Sequence, residues 1–310
     1  MSDHFIPLSV PHLGGNEWAY VKECLDTNWV SSVGSFVNRF ESMVAEALGC
    51  AHGVATVNGT SALHVALLLA GVQPGDEVVV SDLTFIAPAN AVRYLGAWPV
   101  FVDAEPRYWQ MDPQKLSDFL RKDCFYVDGR LKNKHTGRTV TAILPVHILG
   151  HPCDMGAILQ ESQAFGLPVI EDATESLGVL YRGRPAGSFG LMSCLSFNGN
   201  KILTTGGGGM ILTNDEVLAR KARYLTTQAK DDPLEFVHGE VGFNYRLTNV
   251  LAAIGVAQME RLQDHVASKR ATAKAYSEAF RDVRGIQCPE EPERSEERRV
   301  GKECKSRWSP

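Results

Sequence analysis

Lys201 stands in an unusual setting, between an Asn-Gly turn and four consecutive glycines in the stretch SFNGNKILTTGGGGMI, residues 196–211. Four glycines in a row carry a large entropic cost in an ordered element, so they indicate that something approaches the main chain closely. The apolar residues CLSF before the turn indicate a strand that leads into a buried loop. Because a partly desolvated lysine is a nucleophile that forms Schiff bases with carbonyl groups, we predict that Lys201 is catalytic and that the glycines border a cofactor.

Asp172 is a second candidate, in LPVIEDATES at the end of a predicted buried strand. One interpretation is a helix N-cap, which is common for an aspartate after a strand. The other is a carboxylate that holds the cationic ring nitrogen of a cofactor, as pyridoxal phosphate enzymes require. A buried carboxylate without a partner is costly, and a pyridinium would supply that partner.

A third candidate is a helix start in VNGTSALHVAL, where Gly59, Thr60 and Ser61 lie between a predicted strand and a predicted helix. Free backbone N–H groups and the positive end of the helix dipole favour a phosphate there. The segment has neither the Walker pattern nor the G-x-G-x-x-G dinucleotide fingerprint. Most strand-to-helix turns bind nothing, so this turn indicates a phosphate site only in combination with Lys201 and Asp172.

Together these features match one cofactor that has a phosphate, a ring nitrogen and an aldehyde. Phe85, in SDLTFIAPANA, could cover the ring of that cofactor by stacking, or could belong to the core as aromatics after strands often do. A metal site is a competing interpretation of VHILGHPCD, which contains His147, His151, Cys153 and Asp154. Its spacing fits none of the usual structural zinc patterns and no second cluster adds ligands, so we predict no metal.

Short β-branched runs alternate with helical patterns between about residues 50 and 212, which predicts an α/β domain with a mainly parallel sheet flanked by helices. The predicted strands are HGVATV, DEVVVSD, WPVFVDA, TAILPVH and LPVIEDA. Several of these runs end in a polar or acidic residue, and ligands of open α/β sheets bind at the carboxyl ends of the strands. We assign this large domain to residues 1–250.

The end of the chain has a different character. Residues 251–287 contain a long helical pattern, which predicts one long helix and the start of a truncated C-terminal domain. Residues 288–310 are dense in charge and have no periodic apolar face. They are either a disordered native tail or, as we favour from about Arg294, read-through of cloning sequence. In the second case we expect the native gene to continue in frame past Gln287.

Composition narrows the class of protein. The chain has 310 residues, of which 44% are hydrophobic and 22% charged, as in soluble globular proteins. Its net charge of -5 argues against nucleic acid as the main partner. The N-terminus lacks the features of a secretory signal, and no apolar run is long enough to span a bilayer. Seven scattered cysteines indicate thiols of a reducing compartment, so we predict a cytoplasmic protein.

In combination, these motifs resemble the DegT/DnrJ/StrS sugar aminotransferases, pyridoxal phosphate enzymes of fold type I. The resemblance runs from about Ile6 to Arg284. Its motifs, in chain order, are NGTSALHVAL, DLTFIAPANA, PVHILGHPCDM, VIEDATESLG, GSFG, LSFNGNKILTTGGGGMI and GFNYRLTNVLAAIG. The resemblance implies the fold type I architecture, pyridoxal 5'-phosphate as the cofactor, and a homodimer with shared active sites.

Residue by residue, the resemblance implies that Lys201 binds the cofactor covalently and that Asp172 holds the pyridine nitrogen. Glu175 stands where many relatives have a glutamine near the ring hydroxyl, which leaves its hydrogen-bond role open. Asn244, in the loop GFNYR, would complete the phosphate site of the neighbouring subunit, with Arg246 close by. The resemblance also implies that Thr60, Ser61 and Ser196 hold the phosphate. Gly59, Phe85 and Asn198 complete the candidate cofactor contacts.

The opening segment, from IPLSVPHLGG to SSVGSFVNRFE, is most similar to the LegC-type branch of the family. That similarity implies transfer of an amino group from L-glutamate to C4 of a nucleotide-linked 4-keto-6-deoxy-N-acetylhexosamine, for legionaminic acid or another surface polysaccharide sugar. The candidate sugar contacts are Ser31, Ser32, Gly34 and Arg246, although the first three equally fit a plain Ser/Gly loop.

Three rival interpretations remain open. A dehydratase would need a histidine in place of Lys201, so the lysine argues against it. A non-catalytic or regulatory relative, or an inactive truncated fragment, would bind the cofactor without turnover. An ordinary α/β protein that binds nucleotides would bind no chromophore.

Overall fold

The computed structural model describes residue 7, residues 9–232, residues 234–290 and the backbone of residues 305–306. Its helices are α1 (Glu17–Asp26), α2 (Ser35–Leu48), α3 (Gly59–Leu69), α4 (Ile86–Tyr94), α5 (Pro113–Asp118), α6 (Met155–Phe165), α7 (Glu216–Thr226), α8 (Asn249–Met259) and α9 (Leu262–Ala279). A π-helical turn, Phe119–Asp123, follows α5, and a 3₁₀ turn, Ile148–Gly150, precedes α6.

The strands are β1 (His52–Thr56), β2 (Glu77–Ser81), β3 (Trp98–Val102), β4 (Cys124–Val127), β5 (Arg130–Asn133), β6 (Val140–Leu144), β7 (Ile170–Asp172), β8 (Leu180–Tyr181), β9 (Arg184–Pro185), β10 (Met192–Ser196), β11 (Gly209–Thr213), β12 (Lys230–Asp232), β13 (Val237–His238), β14 (Ile286–Gln287) and β15 (Lys305–Ser306). Each run of the sequence that predicted a strand overlaps one of these strands.

The main sheet is built from two hydrogen-bonded groups, β1-β11-β10-β7 and β3-β2-β6. Parallel bridges from Ile143 to Val169 and from Val146 to Asp172 join β6 to β7, which gives the order β1-β11-β10-β7-β6-β2-β3. Only β11 of these strands runs antiparallel to its neighbours. The predicted mainly parallel α/β fold is confirmed, and the carboxyl ends of β1, β7 and β10 meet at one edge.

The inner strands of this sheet are apolar on both sides and are covered on both faces, whereas the edge strand β3 is partly exposed. On β1, Val54 packs into one buried cluster with α3 and α7, whereas the neighbouring Ala55 packs into another with α2 and α8. All five residues of β2 are buried, and so are all five of β11. The sheet is therefore a rigid base for the groups at its carboxyl edge.

The helical pattern after residue 248 forms two helices rather than the predicted single long one. The N–H of Arg261 donates to the carbonyl of Gln258 at 3.1 Å, which tightens the chain into a turn between α8 and α9. The Arg261 guanidinium donates to the carbonyl of Gly14, and the Glu260 carboxylate accepts from Asn16. Contacts to the N-terminal segment thus interrupt a pattern that apolar periodicity alone continues.

The predicted boundary at residue 250 falls one residue after α8 begins, and it stays a prediction. Most of the predicted tail, from residue 291 onward, lies outside the described residues, apart from the backbone pairing of β15 with β14. Among the helices described, none combines the length and the apolar character that a bilayer span requires.

Candidate active site

Lys201 and Glu175 form an ion pair at the carboxyl edge of the sheet. Lys201 Nζ lies 3.1 Å from Glu175 Oε1, and the lysine side chain is 14% exposed. The second oxygen of Glu175 accepts the N–H of Leu149 at 2.8 Å. Leu149 has a left-handed φ of 58°, a conformation that costs energy for a residue with a β-carbon. Glu175 is therefore held between a constrained backbone amide and the amine that it orients.

Asp172 ends β7 and is 3% exposed. Its Oδ1 accepts the N–H of Thr174 at 3.1 Å. Burial raises the pKa of the Asp172 carboxyl, while the hydrogen bonds from Thr174 and the charge of Lys201 oppose that rise. In the described part of the chain the next α-helix after β7 is α7, so the N-cap interpretation is wrong. A buried carboxylate in this setting gains from a cationic partner.

The predicted phosphate residues converge on the same edge. A β-carbon placed on Gly59, the first residue of α3, would lie 2.9 Å from the β-carbon of Ser196 and 3.3 Å from Thr174 Cγ2. Ser196 ends β10, which pairs in parallel with β7 so that Cys194 is opposite Asp172. The start of α3, the end of β10 and the carboxylate of β7 therefore border one site.

The start of α3 retains two amides for a ligand. Asn58 caps the helix, because its Oδ1 accepts the N–H of Ser61 at 2.8 Å. The first backbone hydrogen bond within the helix runs from Ala62 N–H to the Asn58 carbonyl. The Gly59 and Thr60 amides precede it and point out of the helix start with the positive end of its dipole. That Gly59, Thr60, Ser61 and Ser196 hold the phosphate stays a prediction.

Gly209, the last of the four glycines after Lys201, makes room for the protein's own backbone, and that the other three border a cofactor stays a prediction. A β-carbon on Gly209 would lie 2.4 Å from the carbonyl carbon and oxygen of Asn58. One on Gly208 would lie 2.4 Å from Thr205 Oγ1, and Gly206 has a φ of 83°. Gly209 thus allows β11 to approach the start of α3.

Three predicted residues are accessible, and of these only Asn198 has a described contact with the lysine: its carbonyl accepts the Lys201 N–H at 3.0 Å. Phe85 is 76% exposed at the start of α4, so the alternative that it is a core residue is wrong and stacking stays a prediction. Asn198 is exposed, and its Nδ2 donates to Asn200 Oδ1 at 3.2 Å. Asn244 is exposed beside a backbone bridge to Thr227, and its role toward a second subunit stays a prediction.

Arg246 has a different environment from the one predicted. It is 8% exposed, and its guanidinium donates to Glu41 Oε1 and, at 3.1 Å, to the carbonyl of Ala55. Glu41 also accepts from Arg223 Nη1 at 2.9 Å and from the N–H of Ala55 at 2.7 Å. Arg246 thus ties β1 to α2, and its guanidinium is already committed. We therefore keep its role toward the sugar only as an untested prediction.

The predicted sugar segment is organised by a residue that sequence reasoning missed. Ser31 is exposed, Ser32 is partly exposed, and Gly34 precedes α2. A β-carbon on Gly34 would lie 2.2 Å from Asn249 Cγ, so this glycine has a packing reason. No local signal marks Asn249, because its partners are more than 200 positions away in the chain.

The histidines of VHILGHPCD serve the interior of the protein. His147 Nε2 lies 3.0 Å from Glu171 Oε2, and its Nδ1 accepts the N–H of Cys153 at 3.2 Å. Both ring nitrogens of this buried histidine are therefore engaged. Across the described residues, no group of three or more His, Cys, Asp or Glu side chains is arranged to hold a metal ion.

A cavity of about 530 Å³ lies at the opposite edge of the sheet, bordered by the residues before β2 and β6 and by the β4–β5 hairpin. Gln73, Asp76 and Tyr126 are among its lining residues. It contains no lysine, and Asp76 already accepts from Thr141 and the Gln73 amide. The chemistry expected of the site is therefore at the carboxyl edge and not in this cavity.

The carboxyl edge fits pyridoxal phosphate by its donor set. It offers an amine on Lys201, a buried carboxylate on Asp172 that lacks a directly bonded cation among the described residues, and a capped helix start beside the hydroxyl of Ser196. Amine, carboxylate and helix start correspond to the aldehyde, ring nitrogen and phosphate of that cofactor.

The DegT/DnrJ/EryC1/StrS aminotransferase family matches residues 11–304 of this chain. A GDP-perosamine synthase of Caulobacter vibrioides is 47% identical over 273 residues, which are 88% of this chain and 69% of that protein. The putative pyridoxal phosphate-dependent aminotransferase EpsN of Bacillus subtilis is 41% identical over 281 residues, 91% of this chain and 70% of that protein. The solved structure of the aminotransferase TlmJ from Streptoalloteichus hindustanus superposes with a TM-score of 0.86 at 30% identity, covering 96% of this chain and 77% of that one.

These similarities extend over most of the chain and join sequence, fold and donor set in one assignment. They confirm the family, the fold type I architecture and the cofactor, but they do not confirm the LegC-type branch. The chain belongs to the DegT/DnrJ/EryC1/StrS aminotransferase family and is a pyridoxal-phosphate-dependent sugar aminotransferase.

Proposed function

We propose that this enzyme moves an amino group from L-glutamate to the keto carbon C4 of a nucleotide-linked 4-keto-6-deoxy sugar. The observation that carries the proposal is the convergence of Lys201, Glu175 and Asp172 at one edge of the sheet, with Lys201 Nζ 3.1 Å from Glu175 Oε1. The name of the Caulobacter relative supports a GDP-linked sugar as the acceptor. The similarity of the opening segment to the LegC-type branch supports an N-acetylated, UDP- or GDP-linked sugar as the second candidate.

When bound, pyridoxal phosphate supplies the carbonyl carbon that carries the amino group and the ring that accepts electrons. Lys201 attaches the cofactor and, once its Nζ is free, moves a proton from the α-carbon of glutamate and later to the C4 carbon of the sugar. Asp172 keeps the ring nitrogen protonated, because a buried carboxylate favours the cation beside it. Glu175 orients Lys201 Nζ between these steps.

The second subunit has a place in this proposal. Asn244 is exposed, and the β12–β13 hairpin with the residues that follow it exposes several large apolar side chains: Leu234, Phe236, Val237 and Val241. An apolar patch of this kind is typical of an interface, so it supports a homodimer in which Asn244 contacts the phosphate bound to the partner.

The thiols of the cysteines from Cys24 to Cys194 support the cytoplasm as the location of the protein.

The test is product analysis. The purified protein, loaded with pyridoxal phosphate and given L-glutamate, is incubated separately with a GDP-linked 4-keto-6-deoxyhexose and a UDP-linked 4-keto-6-deoxy-N-acetylhexosamine. We expect the mass of the corresponding 4-amino sugar with at least one acceptor, together with 2-oxoglutarate. Lys201→Ala is the control and should lose turnover by roughly 100-fold or more. Formation of 2-oxoglutarate without an amino sugar from either acceptor would contradict the proposed substrate class.

A further inference from the structure

Asn249, the first residue of α8, uses both ends of its side-chain amide to hold a distant segment, and its Nδ2 also donates to Cys24 Sγ at 3.3 Å. Its Oδ1 accepts the N–H of Phe36 at 3.1 Å and that of Val37 at 3.3 Å. Its Nδ2 donates to the carbonyl of Trp29 at 2.7 Å. The Asn249 backbone N–H donates to the carbonyl of Ser31 at 2.6 Å, and the residue is 1% exposed.

The segment from residue 29 to residue 37 depends on this asparagine. Helix α2 begins after Gly34, which has no side chain to cap it, and the amides of Phe36 and Val37 would otherwise lack an acceptor. Asn249 therefore performs from another helix the role that an N-cap side chain usually performs locally. A β-carbon on Gly34 would lie 2.2 Å from Asn249 Cγ, so the glycine and the asparagine require each other.

The other end of Asn249 is connected to the cofactor edge. The N–H of Val57, just before the α3 start, donates to the carbonyl of Tyr245 at 2.8 Å. Leu247 packs 3.4 Å from the β-carbon position of Gly208. The chain that leads into Asn249 is therefore fixed to the predicted phosphate-binding turn. The backbone N–H of Asn249 in turn fixes the position of Ser31 by its hydrogen bond to the Ser31 carbonyl.

We propose that Asn249 is a positioning residue that sets the affinity for the sugar substrate by holding residues 29–37 at a fixed place relative to the start of α3. This inference rests on the proposed function, because it takes the exposed Ser31–Ser32 part of the segment as a surface that contacts the sugar. It assigns Asn249 no contact with the substrate, the cofactor or the reacting atoms.

The experiment compares Asn249→Ala with Asn133→Ala. Asn133 is a matched control, because it is also buried and also uses both ends of its amide, donating to Glu77 Oε2 at 2.9 Å and accepting from His135 N–H at 2.9 Å, but it lies on β5. We expect Asn249→Ala to raise the KM for the keto sugar about tenfold, the equivalent of losing one or two hydrogen bonds. The rate of the half-reaction with glutamate and kcat should change less than about threefold, and Asn133→Ala should leave the KM unchanged.

Hydrogen exchange gives a readout that does not need the sugar. In Asn249→Ala the backbone amides of residues 29–37 should exchange at least about tenfold faster than in Asn133→Ala. Asn249→Asp keeps the acceptor for α2 but places an oxygen against the Trp29 carbonyl. The Phe36 and Val37 amides should therefore stay protected, whereas the amides next to Trp29 should exchange faster. If Asn249→Ala does not fold, this second variant decides alone.

The outcomes separate the two claims. Unchanged exchange in residues 29–37, or faster exchange with an unchanged KM for the sugar, overturns the role of Asn249. A wild-type enzyme that aminates neither keto sugar refutes the proposed function instead, and in that case the exchange data alone show whether Asn249 fixes the segment.

Discussion

The two neighbouring acids on β7, Glu171 and Asp172, differ in how many hydrogen bonds they accept from the protein. Glu171 faces one side of the strand and is fully satisfied: it accepts the N–H groups of Gly187, Phe189 and Gly190 and lies 3.0 Å from His147 Nε2. Asp172 faces the other side, and its described hydrogen bonds come from Thr174. Glu171 therefore organises the interior, whereas Asp172 keeps capacity for a cationic ligand.

The difference shows how one strand can serve stability and function together. The glycines and the histidine around Glu171 consume its hydrogen-bonding capacity, as expected for a buried carboxylate. Asp172 is equally buried but less well paired, and such under-paired groups are concentrated at functional sites. Burial alone does not distinguish the two acids; the count of donors does.

The largest expected effect concerns Glu171. Glu171→Ala leaves three backbone N–H groups and a histidine without their acceptor, so we expect the free energy of unfolding to fall by about 3–5 kcal/mol. Asp172→Ala should change it by less than about 1 kcal/mol in the cofactor-free protein, because few bonds are lost. Urea denaturation of both variants measures this contrast. Equal destabilisation would remove the distinction between the two acids.

A second prediction concerns pH. The pKa of Asp172 is raised above its ordinary value of 3.8 by burial, so the carboxyl favours the folded state when protonated. That contribution is complete below pH 3.8 and is lost as pH rises through the raised pKa of the folded protein. Cofactor-free Asp172→Asn should therefore match the wild type in acid and become the more stable protein toward neutral pH.

Bound cofactor should reverse that order, because the ring nitrogen supplies the missing cation. Thermal melts of both proteins across the pH range, with and without pyridoxal phosphate, test the reversal. A wild type that gains no more from the cofactor than Asp172→Asn does would contradict the assigned role of Asp172. Glu171→Gln is the matched control, and its response to the cofactor should equal that of the wild type.

The smallest expected effect is at Glu175, a partly exposed acid that is paired with Lys201. The ion pair with Lys201 is partly exposed, so its loss in Glu175→Gln should change stability by no more than about 1 kcal/mol. A glutamine can still accept from Leu149 and lie beside the lysine, so activity should stay within about tenfold of the wild type. Steady-state kinetics measure it, and a loss as large as that of Lys201→Ala would make Glu175 a proton carrier.

The sequence predicted correctly those features that depend on residues close together in the chain. The strands and the turn from β1 into α3 follow from β-branched runs and turn residues, and the structure has them. The packing role of Gly209 was not predicted, because the atoms that approach it belong to Asn58, far away in sequence. The ion pair of Arg246 was not predicted for the same reason, since its partner Glu41 lies 205 positions earlier.

Long-range partners also explain what was missed. The break between α8 and α9 follows from contacts to the N-terminal segment, which apolar periodicity does not register. Asn249 gives no sequence signal, because an asparagine after a threonine is ordinary at a helix start. Each of these features depends on a pair of residues brought together by the fold, and a single sequence carries no record of such pairs.

The central claim is that Lys201 performs amino-group chemistry at the edge that Asp172 completes. The most direct measurement is the visible absorbance spectrum of the protein with pyridoxal phosphate, before and after addition of L-glutamate. We predict a band from the lysine-bound cofactor that is replaced by the spectrum of pyridoxamine phosphate, and no such band in Lys201→Ala. A band that forms in the wild type but does not respond to glutamate would contradict the claim.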